Sequence, residues 1–360
     1  MNDIYASRRN ILIYLLVVVV VFAILLVSIL RKKQSTELKP FSAGIEIKYT
    51  RLLMGTVVEI TLGGDNEQVI KDAAAAGFDE IARLEKLLSH YQDTSDVSMI
   101  NKFGWEKPVK VSQETMDVID ASERVSEMTN GAFDITMGVL GRVWHFTKDD
   151  KGEFIPPSED DVKKLLPLVD YRRIIIDRDS STVKFAKDGM RINLGGIAKG
   201  YIVAKAVDAI KKKGVKSGIV HAGGDMFVFQ EDGNAPRKIG IQHPRKKDRV
   251  IGTVEIANGA VSTSGDYERF FIKNSIRYHH IINTKTGFPA VGTQAVTIVA
   301  NDGMIADAIS TAVFIMGTED GMKFIEDLPE VEGLIIDANG NITVSSGLKG
   351  RLSLISEIVF

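Results

Sequence analysis

Two oxygen-bearing side chains stand four positions apart in an otherwise apolar stretch of the sequence. Asp307 and Thr311 lie among core-type residues such as Ile305 and Ile309. In a helix, residues at i and i+4 lie on one face, and carboxylate and hydroxyl oxygens are suitable ligands for a hard cation such as Mg²⁺. Because an unpaired buried carboxylate is costly, we favour a metal site. The alternative is a helix-start Asp307 with a Thr311 that bonds back to the helix backbone.

A glycine pair precedes a predicted amphipathic helix in the segment 191–201. Gly195 and Gly196 are followed by Lys199. Glycine lets a backbone approach a ligand closely, and free N–H groups at a helix N-terminus attract phosphate. Lys199 would add a positive charge. The pattern is neither a P-loop nor G-x-G-x-x-G, so a phosphate-binding turn and a plain tight turn both remain open.

Two further stretches combine small residues with groups that bind or move protons. The first, 221–225 (HAGGD), places two glycines between a predicted strand and an aspartate, either for close approach to a ligand or as a β-turn. The second, 262–267, is rich in hydroxyl groups and is followed by His279 and His280. A histidine there could transfer protons or be structural. Neighbouring strand residues point to opposite faces, so at most one of the two faces a given site.

The elements that must position these residues alternate irregularly. The predicted helices span 65–88 (with an Asp cap), 113–128, 198–213, 302–316 and 319–327, with a polar loop at 89–104 and a surface excursion at 146–172. The predicted strands span 49–62, 173–177, 182–186, 217–222, 226–230, 238–242, 250–256, 259–263, 268–272, 279–282 and 294–300. Because this order is not a regular βαβ alternation and many neighbours look like hairpins, we expect an α+β fold with largely antiparallel sheets and flanking helices.

The composition excludes several functional classes. The 360 residues carry 45 Lys+Arg against 47 Asp+Glu, a net charge of −2 that argues against nucleic-acid binding by bulk charge. Hydrophobic residues make up 44% and charged residues 26%, as in ordinary globular proteins. The sequence has no cysteine, which excludes disulfides, thiolate nucleophiles, Cys-ligated metals and a lipidated N-terminal cysteine.

The N-terminal part of the sequence predicts a membrane anchor. The run 11–30 carries no charge, and a helix of ~20 residues spans the ~30 Å of a bilayer core. A cleaved signal peptide fits less well, because the run is long and basic residues 31–33 follow it. We therefore predict a short tail (1–10), one transmembrane helix (11–30), a tether (31–48) and one soluble domain (49–360). Basic residues flank both ends of the run, so charge does not decide its orientation.

Eight short motifs occur in a fixed order over about 50–350. They are Met54-Gly55-Thr56, Tyr91 with Ser95 and Asn101, Gly131-Ala132-Phe133-Asp134, 195–200 (GGIAKG), 222–225 (AGGD), 262–265 (STSG), His280-Ile281-Ile282 with Thr286-Gly287, and 306–311 (ADAIST). Any one of them is common by chance, whereas the ordered set is not. Together they resemble the ApbE family, the FAD:protein FMN transferases.

The resemblance implies a specific activity. Members of that family bind FAD and Mg²⁺, cleave the FAD pyrophosphate and attach FMN through a phosphoester to a Thr or Ser hydroxyl of a target protein, releasing AMP. By motif position, Asp307 and Thr311 would bind Mg²⁺ with their side chains and Gly196 with its backbone carbonyl, and His280 would accept the hydroxyl proton. The positions that match FAD contacts are Met54, Tyr91, Ala132, Phe133, Asp134, Asn193, Lys199 and Ile282.

The resemblance also implies partners and a location. Targets in the family are typically membrane redox proteins, such as subunits of sodium-pumping Nqr-type or Rnf-type complexes. The enzymes usually face the outer, periplasmic side of the bacterial cytoplasmic membrane, where the run 11–30 would replace a lipid anchor. Asn193 and Lys199 stand where many relatives are acidic, which makes the site more positive. Two alternatives remain: an FAD pyrophosphatase that yields FMN and AMP, and a flavin-binding module without transferase activity.

Overall fold

The computed structural model describes residues 44–146 and 154–355, which belong to one unit spanning Pro40–Phe360. Its strands are β1 (Ile45–Leu53), β2 (Thr56–Gly64), β3 (Val109–Lys110), β4 (Ile174–Asp177), β5 (Thr182–Phe185), β6 (Ser217–Ala222), β7 (Asp225–Phe229), β8 (Arg237–Gln242), β9 (Val250–Ile256), β10 (Gly259–Gly265), β11 (Phe270–Lys273), β12 (Ile276–His279), β13 (Thr293–Ala300), β14 (Val331–Asp337), β15 (Ile342–Val344) and β16 (Leu352–Leu354). Its α-helices are α1 (Glu67–Leu88), α2 (Asp96–Phe103), α3 (Gln113–Met128), α4 (Glu159–Leu165), α5 (Ala198–Lys211), α6 (Gly303–Met316) and α7 (Thr318–Glu326).

An eight-stranded sheet in the order β1-β2-β6-β7-β10-β13-β14-β15 forms the centre of the fold. Three smaller sheets accompany it: β11-β12, β16-β9-β8 and β3-β5-β4. Each strand pair among the described residues is antiparallel. The predicted α+β fold with antiparallel sheets and flanking helices is therefore confirmed.

The middle strands of the central sheet are buried on both faces because they alternate two sets of apolar residues. Val220 and Phe229 face the core formed with α1, α3 and α5, whereas their neighbours Ile219 and Val228 face the sheet of β8, β9 and β16. Helix α6 packs on β10 and β13. The functional motifs of α5, α6, β7 and β10 thus lie on elements that pack against this core.

A smaller apolar cluster supports the segment after β12. It joins Trp144, Val162 and Phe271 to Ile282. The indole nitrogen of Trp144 donates a hydrogen bond of 2.8 Å to the carbonyl of Gly287. These contacts hold Ile282 and Gly287, which follow His280 in the chain.

Four local sequence predictions were wrong. The stretch 49–62 is a hairpin of β1 and β2, because Met54 (φ 54°) and Gly55 (φ 68°) both adopt the left-handed conformation of a tight turn. The predicted loop 89–104 contains α2, which Ser95 caps. Helix α1 is capped by Asn66 and not by Asp65. The strand predicted at 279–282 ends at His279, where β12 stops.

The predicted N-terminal segments fall largely outside the described residues. The tail 1–10, the transmembrane helix 11–30 and most of the tether 31–48 lie there, while residues 45–48 belong to β1. In residues 44–146 and 154–355, no helix is long and apolar enough to span a bilayer.

Candidate active site

Helices α5 and α6 touch backbone to backbone at two glycines. A Cβ on Gly200 would overlap the carbonyl oxygen of Gly303 and would lie 2.9 Å from the Cβ of Asp307. No side chain fits at this contact, so glycine is required there. The contact brings the N-terminus of α5 against the first two turns of α6, where Asp307 lies.

Asp307 caps the N-terminus of α5 from the neighbouring helix. The residue at the N-cap position of α5, Ile197, makes no side-chain cap. Instead, Oδ2 of Asp307 accepts a hydrogen bond of 3.0 Å from the backbone N–H of Gly200. Helix α6 has its own cap in Asp302, so Asp307 is not a helix-start residue. A carboxylate at this position satisfies free N–H groups and the positive end of the helix dipole.

Lys199 lies between two buried carboxylates. Its Nζ forms an ion pair with Oδ2 of Asp225 and lies 3.9 Å from Oδ1 of Asp307. Burial disfavours the charged lysine, but the two carboxylates outweigh it and raise the pKa of Lys199. Burial and the charge of Asp225 raise the pKa of Asp307 to about 7. With all three groups ionised, two negative charges face one positive charge, which leaves a net attraction for a cation.

The residues predicted to hold Mg²⁺ come together at this place. A Cβ on Gly196 would lie only 3.3 Å from Oγ1 of Thr311, which is one turn of α6 beyond Asp307. The hydroxyl of Ser264 lies 3.2 Å from the Thr311 hydroxyl. Within the described ranges, no three His, Asp or Glu side chains are grouped to hold a metal. A cation here would therefore rely on one carboxylate, hydroxyl or carbonyl oxygens and substrate phosphate, which suits Mg²⁺.

His280 is poised as a neutral base. Its backbone N–H donates to the carbonyl of Arg269 over 3.0 Å, and its buried Nδ1 has no hydrogen-bond partner among the described residues. Burial, together with the neighbouring His279 and the positive charges of Arg269 and Lys199, lowers the pKa of His280 to about 4. His280 is therefore neutral at pH 7 and able to accept a proton.

His279 is structural. It is 4% exposed, its Nε2 lies 2.9 Å from the carbonyl oxygen of Ala290, and its ring packs edge-on against Phe314 of α6. The two histidines thus have different environments, and only His279 belongs to a strand, because β12 ends there.

Comparison with known proteins identifies the fold family. The ApbE family model matches residues 54–335. The chain belongs to the ApbE family. A solved ApbE protein from Thermotoga maritima is 35% identical, with a TM-score of 0.78 over 85% of this chain and 99% of that chain. The FAD:protein FMN transferase of Klebsiella pneumoniae is 28% identical over 307 residues (85% of this chain, 93% of the relative). That of Treponema pallidum is 28% identical over 329 residues (86% and 90%).

Within this ApbE-family chain, Met54 lies in the turn between β1 and β2. A Cβ on the adjacent Gly55 would lie 3.7 Å from the guanidinium of Arg269. The same hairpin reaches the turn after β6, because a Cβ on Gly223 would lie 3.3 Å from Oγ1 of Thr56. The β1–β2 turn therefore borders the segment that leads to His280.

Asp134 supports the local structure of this chain through hydrogen bonds. Its Oδ1 accepts hydrogen bonds from the backbone N–H (2.8 Å) and hydroxyl (2.6 Å) of Thr136, and its Oδ2 accepts one from the backbone of Tyr171 (2.9 Å). Burial raises the pKa of this carboxyl. Asp134 thus caps the 3₁₀ helix Ile135–Arg142. Its neighbours Ala132 and Phe133 are also buried, so a flavin would touch mainly the surface that they support.

The other predicted FAD positions have diverse surroundings. Oδ1 of Asn193 accepts a hydrogen bond of 2.9 Å from the backbone of Gly195, which shapes the glycine turn. Ile282 is 3% exposed and pairs with Pro289. Tyr91 is 75% exposed on the loop after α1, with its ring against that of His90. Unlike the rest, Tyr91 is not packed into the domain.

Several residues of the site were not selected from the sequence. The sequence leaves Asp225 open between a ligand contact and an exposed turn residue, whereas in the structure it is 2% exposed and accepts a hydrogen bond from Ser262 at 2.5 Å. These two residues lie directly opposite each other in the pairing of β7 with β10. Arg269 was also missed. The glycine pair before Asp225 was a usable signal, but the partner of that aspartate depends on strand pairing.

Proposed function

We propose that this chain is a Mg²⁺-dependent FAD:protein FMN transferase. The observation that carries the proposal is that Asp307, Thr311 and Gly196 lie together beside the ion pair of Lys199. The neutral His280 lies close enough to Lys199 and Arg269 for their charges to lower its pKa. The curated relatives reported above carry that activity in their names. Phosphoryl transfer needs positioned positive charge and a place for one proton more than it needs a covalent intermediate.

The proposed reaction exchanges one phosphorus–oxygen bond for another. The hydroxyl oxygen of a target Thr or Ser attacks the FMN phosphorus of FAD, and the bond from that phosphorus to the bridging oxygen breaks. AMP leaves with the bridging oxygen and its electron pair. The hydroxyl proton passes to the imidazole of His280. The low pKa of His280 in the free protein rises when an anionic substrate offsets the charges of Arg269 and Lys199. His280 is therefore a stronger base when the substrate is bound.

The oxygen donors of this site fit Mg²⁺. Oδ2 of Asp307 is held by Gly200, so Oδ1 is the oxygen that remains for a cation. Thr311 would add its hydroxyl and Gly196 its carbonyl. When bound, Mg²⁺ neutralises the pyrophosphate and stabilises the leaving AMP.

The proposed FAD site combines positive charge with open backbone. With Mg²⁺ bound, the cluster of Lys199, Asp225 and Asp307 would carry a net positive charge and, with Arg269, would attract the pyrophosphate, and the Gly195–Gly196 turn lets phosphate approach the chain. The flavin and adenosine ends would contact Met54, Tyr91 and Asn193, together with the surface that the buried residues Ala132, Phe133, Asp134 and Ile282 support.

The proposed setting is the outer face of a bacterial cytoplasmic membrane. The uncharged run 11–30 supports an anchor, and the family's membrane redox targets support an outward-facing domain. We propose a target subunit of an Nqr-type or Rnf-type complex, which an anchored enzyme would meet in the same bilayer.

The test uses the purified full-length chain in detergent with FAD, Mg²⁺ and an acceptor domain from such a complex. Mass spectrometry of the acceptor measures an FMN adduct on Thr or Ser, and chromatography measures AMP. His280→Ala and Asp307→Ala should abolish the adduct. Asp79→Asn, at a side chain that is 80% exposed, is the matched control and should leave it unchanged.

The possible outcomes distinguish a transferase from a pyrophosphatase and from a flavin-binding module. An adduct that both variants lose supports the transferase and the two roles. AMP and FMN in equal amounts without an adduct, over a panel of acceptors, identify a pyrophosphatase that uses water. FAD binding without AMP release identifies a binding module and contradicts the proposal.

A further inference from the structure

One ammonium group is shared unequally by two buried carboxylates. The side chains of Asp225 and Asp307 are 3% and 4% exposed. Lys199 pairs directly with Asp225, while its Nζ stays 3.9 Å from Oδ1 of Asp307. An ammonium on a flexible stem can move between two such partners. The structure must therefore hold the ammonium of Lys199 on Asp225 and away from Asp307.

Asp225 is held rigidly for this task. It is the first residue of β7, in the middle of the central sheet. Its Oδ1 accepts the hydroxyl hydrogen of Ser262 at 2.5 Å, and its Oδ2 accepts Lys199. Ser262 lies in turn 3.5 Å from the hydroxyl of Ser310 on α6. Because both oxygens of Asp225 have protein partners, Asp225 is better suited to hold the lysine than to bind a metal.

We infer that Asp225 is a positioning residue that keeps the ammonium of Lys199 away from Oδ1 of Asp307, so that this oxygen stays free for the cation. The inference rests on the proposed metal site. Oδ2 of Asp307 already accepts the backbone N–H of Gly200, which leaves Oδ1 as the oxygen for the cation. Without Asp225, Lys199 would pair with Asp307 and compete with Mg²⁺ for it.

The net charge of the three side chains leads to the same conclusion about Asp225. Asp225, Asp307 and Lys199 together carry one net negative charge when all are ionised. Removal of the charge of Asp225 leaves a neutral pair, which has little attraction for a cation. Removal of Lys199 as well restores one negative charge on Asp307 and leaves no competitor. The effect of losing Asp225 should therefore be reversed by a second change at Lys199.

The experiment titrates the full-length chain in detergent with Mn²⁺ alone and measures free Mn²⁺ by electron paramagnetic resonance. FAD and acceptor are absent, so the readout is independent of catalysis. Asp225→Asn should weaken Mn²⁺ binding by at least about tenfold, given the strength of charge interactions over about 4 Å at a partly buried site. Asp225→Asn with Lys199→Gln should return to within about threefold of the natural chain.

Three further chains complete the comparison. Lys199→Gln alone should bind Mn²⁺ at least as tightly as the natural chain. Asp307→Asn should abolish the binding and so locate it. Asp79→Asn removes the same charge at an exposed position and should have no effect. Circular dichroism of every variant reports whether the fold is kept.

Several results would overturn the inference. Unchanged Mn²⁺ binding in Asp225→Asn would show that Asp225 does not keep Lys199 away from Oδ1 of Asp307. A double variant as weak as Asp225→Asn would make Asp225 a metal ligand or a structural residue. Weaker binding in Lys199→Gln would show that the lysine does not compete, and no Asp307-dependent Mn²⁺ binding in the natural chain would remove the site itself. The transferase proposal fails separately, through an intact Mn²⁺ titration with no FMN adduct.

Discussion

At the scale of single residues, the proposed chemistry depends on groups whose ordinary charge state is changed by burial. His280 is kept neutral by desolvation and by the surrounding cations, while Asp307 is a buried carboxyl whose pKa is raised. Groups perturbed in opposite directions by a shared environment are typical of sites that move protons or hold ions. Each of the two has a measurable consequence.

His280 should give an activity profile with an acid limb and a flat region above it. The neutral imidazole is the active form, and the pKa of about 4 in the free protein means that protonation removes it only at low pH. The apparent second-order rate constant for adduct formation should rise as the pH passes through about 4 and should not fall between about pH 6 and 8 because of His280.

Removal of the imidazole is the matching control. His280→Ala and His280→Gln should each lower the rate by about 10²–10⁴-fold, the usual share of general base catalysis, with little change in FAD affinity. An acid limb centred near 6.5 in the natural chain would contradict the desolvation of His280.

Asp134 should contribute mainly to stability. Its carboxylate accepts three hydrogen bonds from Thr136 and Tyr171, so Asp134→Ala leaves buried donors without a partner. We expect a loss of about 1–3 kcal/mol in the free energy of unfolding, measured by urea denaturation. Asp79→Ala serves as the exposed control. Unchanged stability with weakened FAD binding would instead make Asp134 a ligand residue.

At the scale of secondary structure elements, the site is produced by the crossing of α5 and α6. The glycine contact brings the helices together, and Asp307 of one helix caps the other. The cap and the proposed cation site use different oxygens of the same carboxylate. In the proposed function, helix packing and cation binding are therefore coupled at Asp307.

Gly200→Ala should separate the two helices. The added methyl group would overlap the Gly303 carbonyl, and overpacking of this kind costs about 1–3 kcal/mol or more. Chemical denaturation should detect this loss together with loss of FMN transfer. Gly141→Ala is the control, because nothing lies within 4 Å of its Cβ position. Equal stability of the two variants would refute the tight crossing.

Asp307→Asn should stabilise the metal-free protein. The amide oxygen can still accept the N–H of Gly200, while the cost of a buried charge disappears. We expect a gain of about 1 kcal/mol or more in the free energy of unfolding without metal. Mg²⁺ at about 100 times its Kd should add roughly 2.7 kcal/mol to the natural chain and nothing to the variant. Thermal denaturation with and without Mg²⁺ measures both, and stabilisation of the variant by Mg²⁺ would contradict the proposed ligand set.

At the scale of the whole molecule, a site on a rigid sheet has to meet a large protein substrate. The central sheet is covered by helices on one face and by β8, β9 and β16 on the other, which leaves strand ends and turns to form the site. A membrane anchor would hold this domain at the distance of a short tether from its target.

The anchor predicts where the chain is found in cells. After alkaline carbonate extraction, the full-length chain should remain with the membranes, because ~20 apolar residues are enough to span a bilayer. A variant that lacks residues 1–33 should be released. Protease added to spheroplasts should degrade the domain without lysis. Release of the full-length chain, or protection from protease, would contradict the anchor or its orientation.

Much of the architecture could be predicted because it is encoded locally. Helical periodicity placed α3 and α6 within a residue of their bounds, and short β-branched runs placed most strands after residue 173. The errors arose where a local pattern had two solutions. Apolar residues on both sides of Met54 and Gly55 looked continuous, although the backbone reverses there, and α2 is too short for its period to stand out.

The sequence by itself determined most element types, because periodicity is local, and the ordered set of motifs indicated the family by resemblance, because a motif is recognised without any knowledge of contacts. It also indicated Asp307 and Thr311 as a pair, since four positions on a helix are a local distance. The tertiary structure decided that Asp307 caps a helix 107 positions away and that Ser262 holds Asp225 across a strand pair. It alone placed Lys199 between two carboxylates, because such contacts depend on register and helix crossing, which no local stretch of sequence contains.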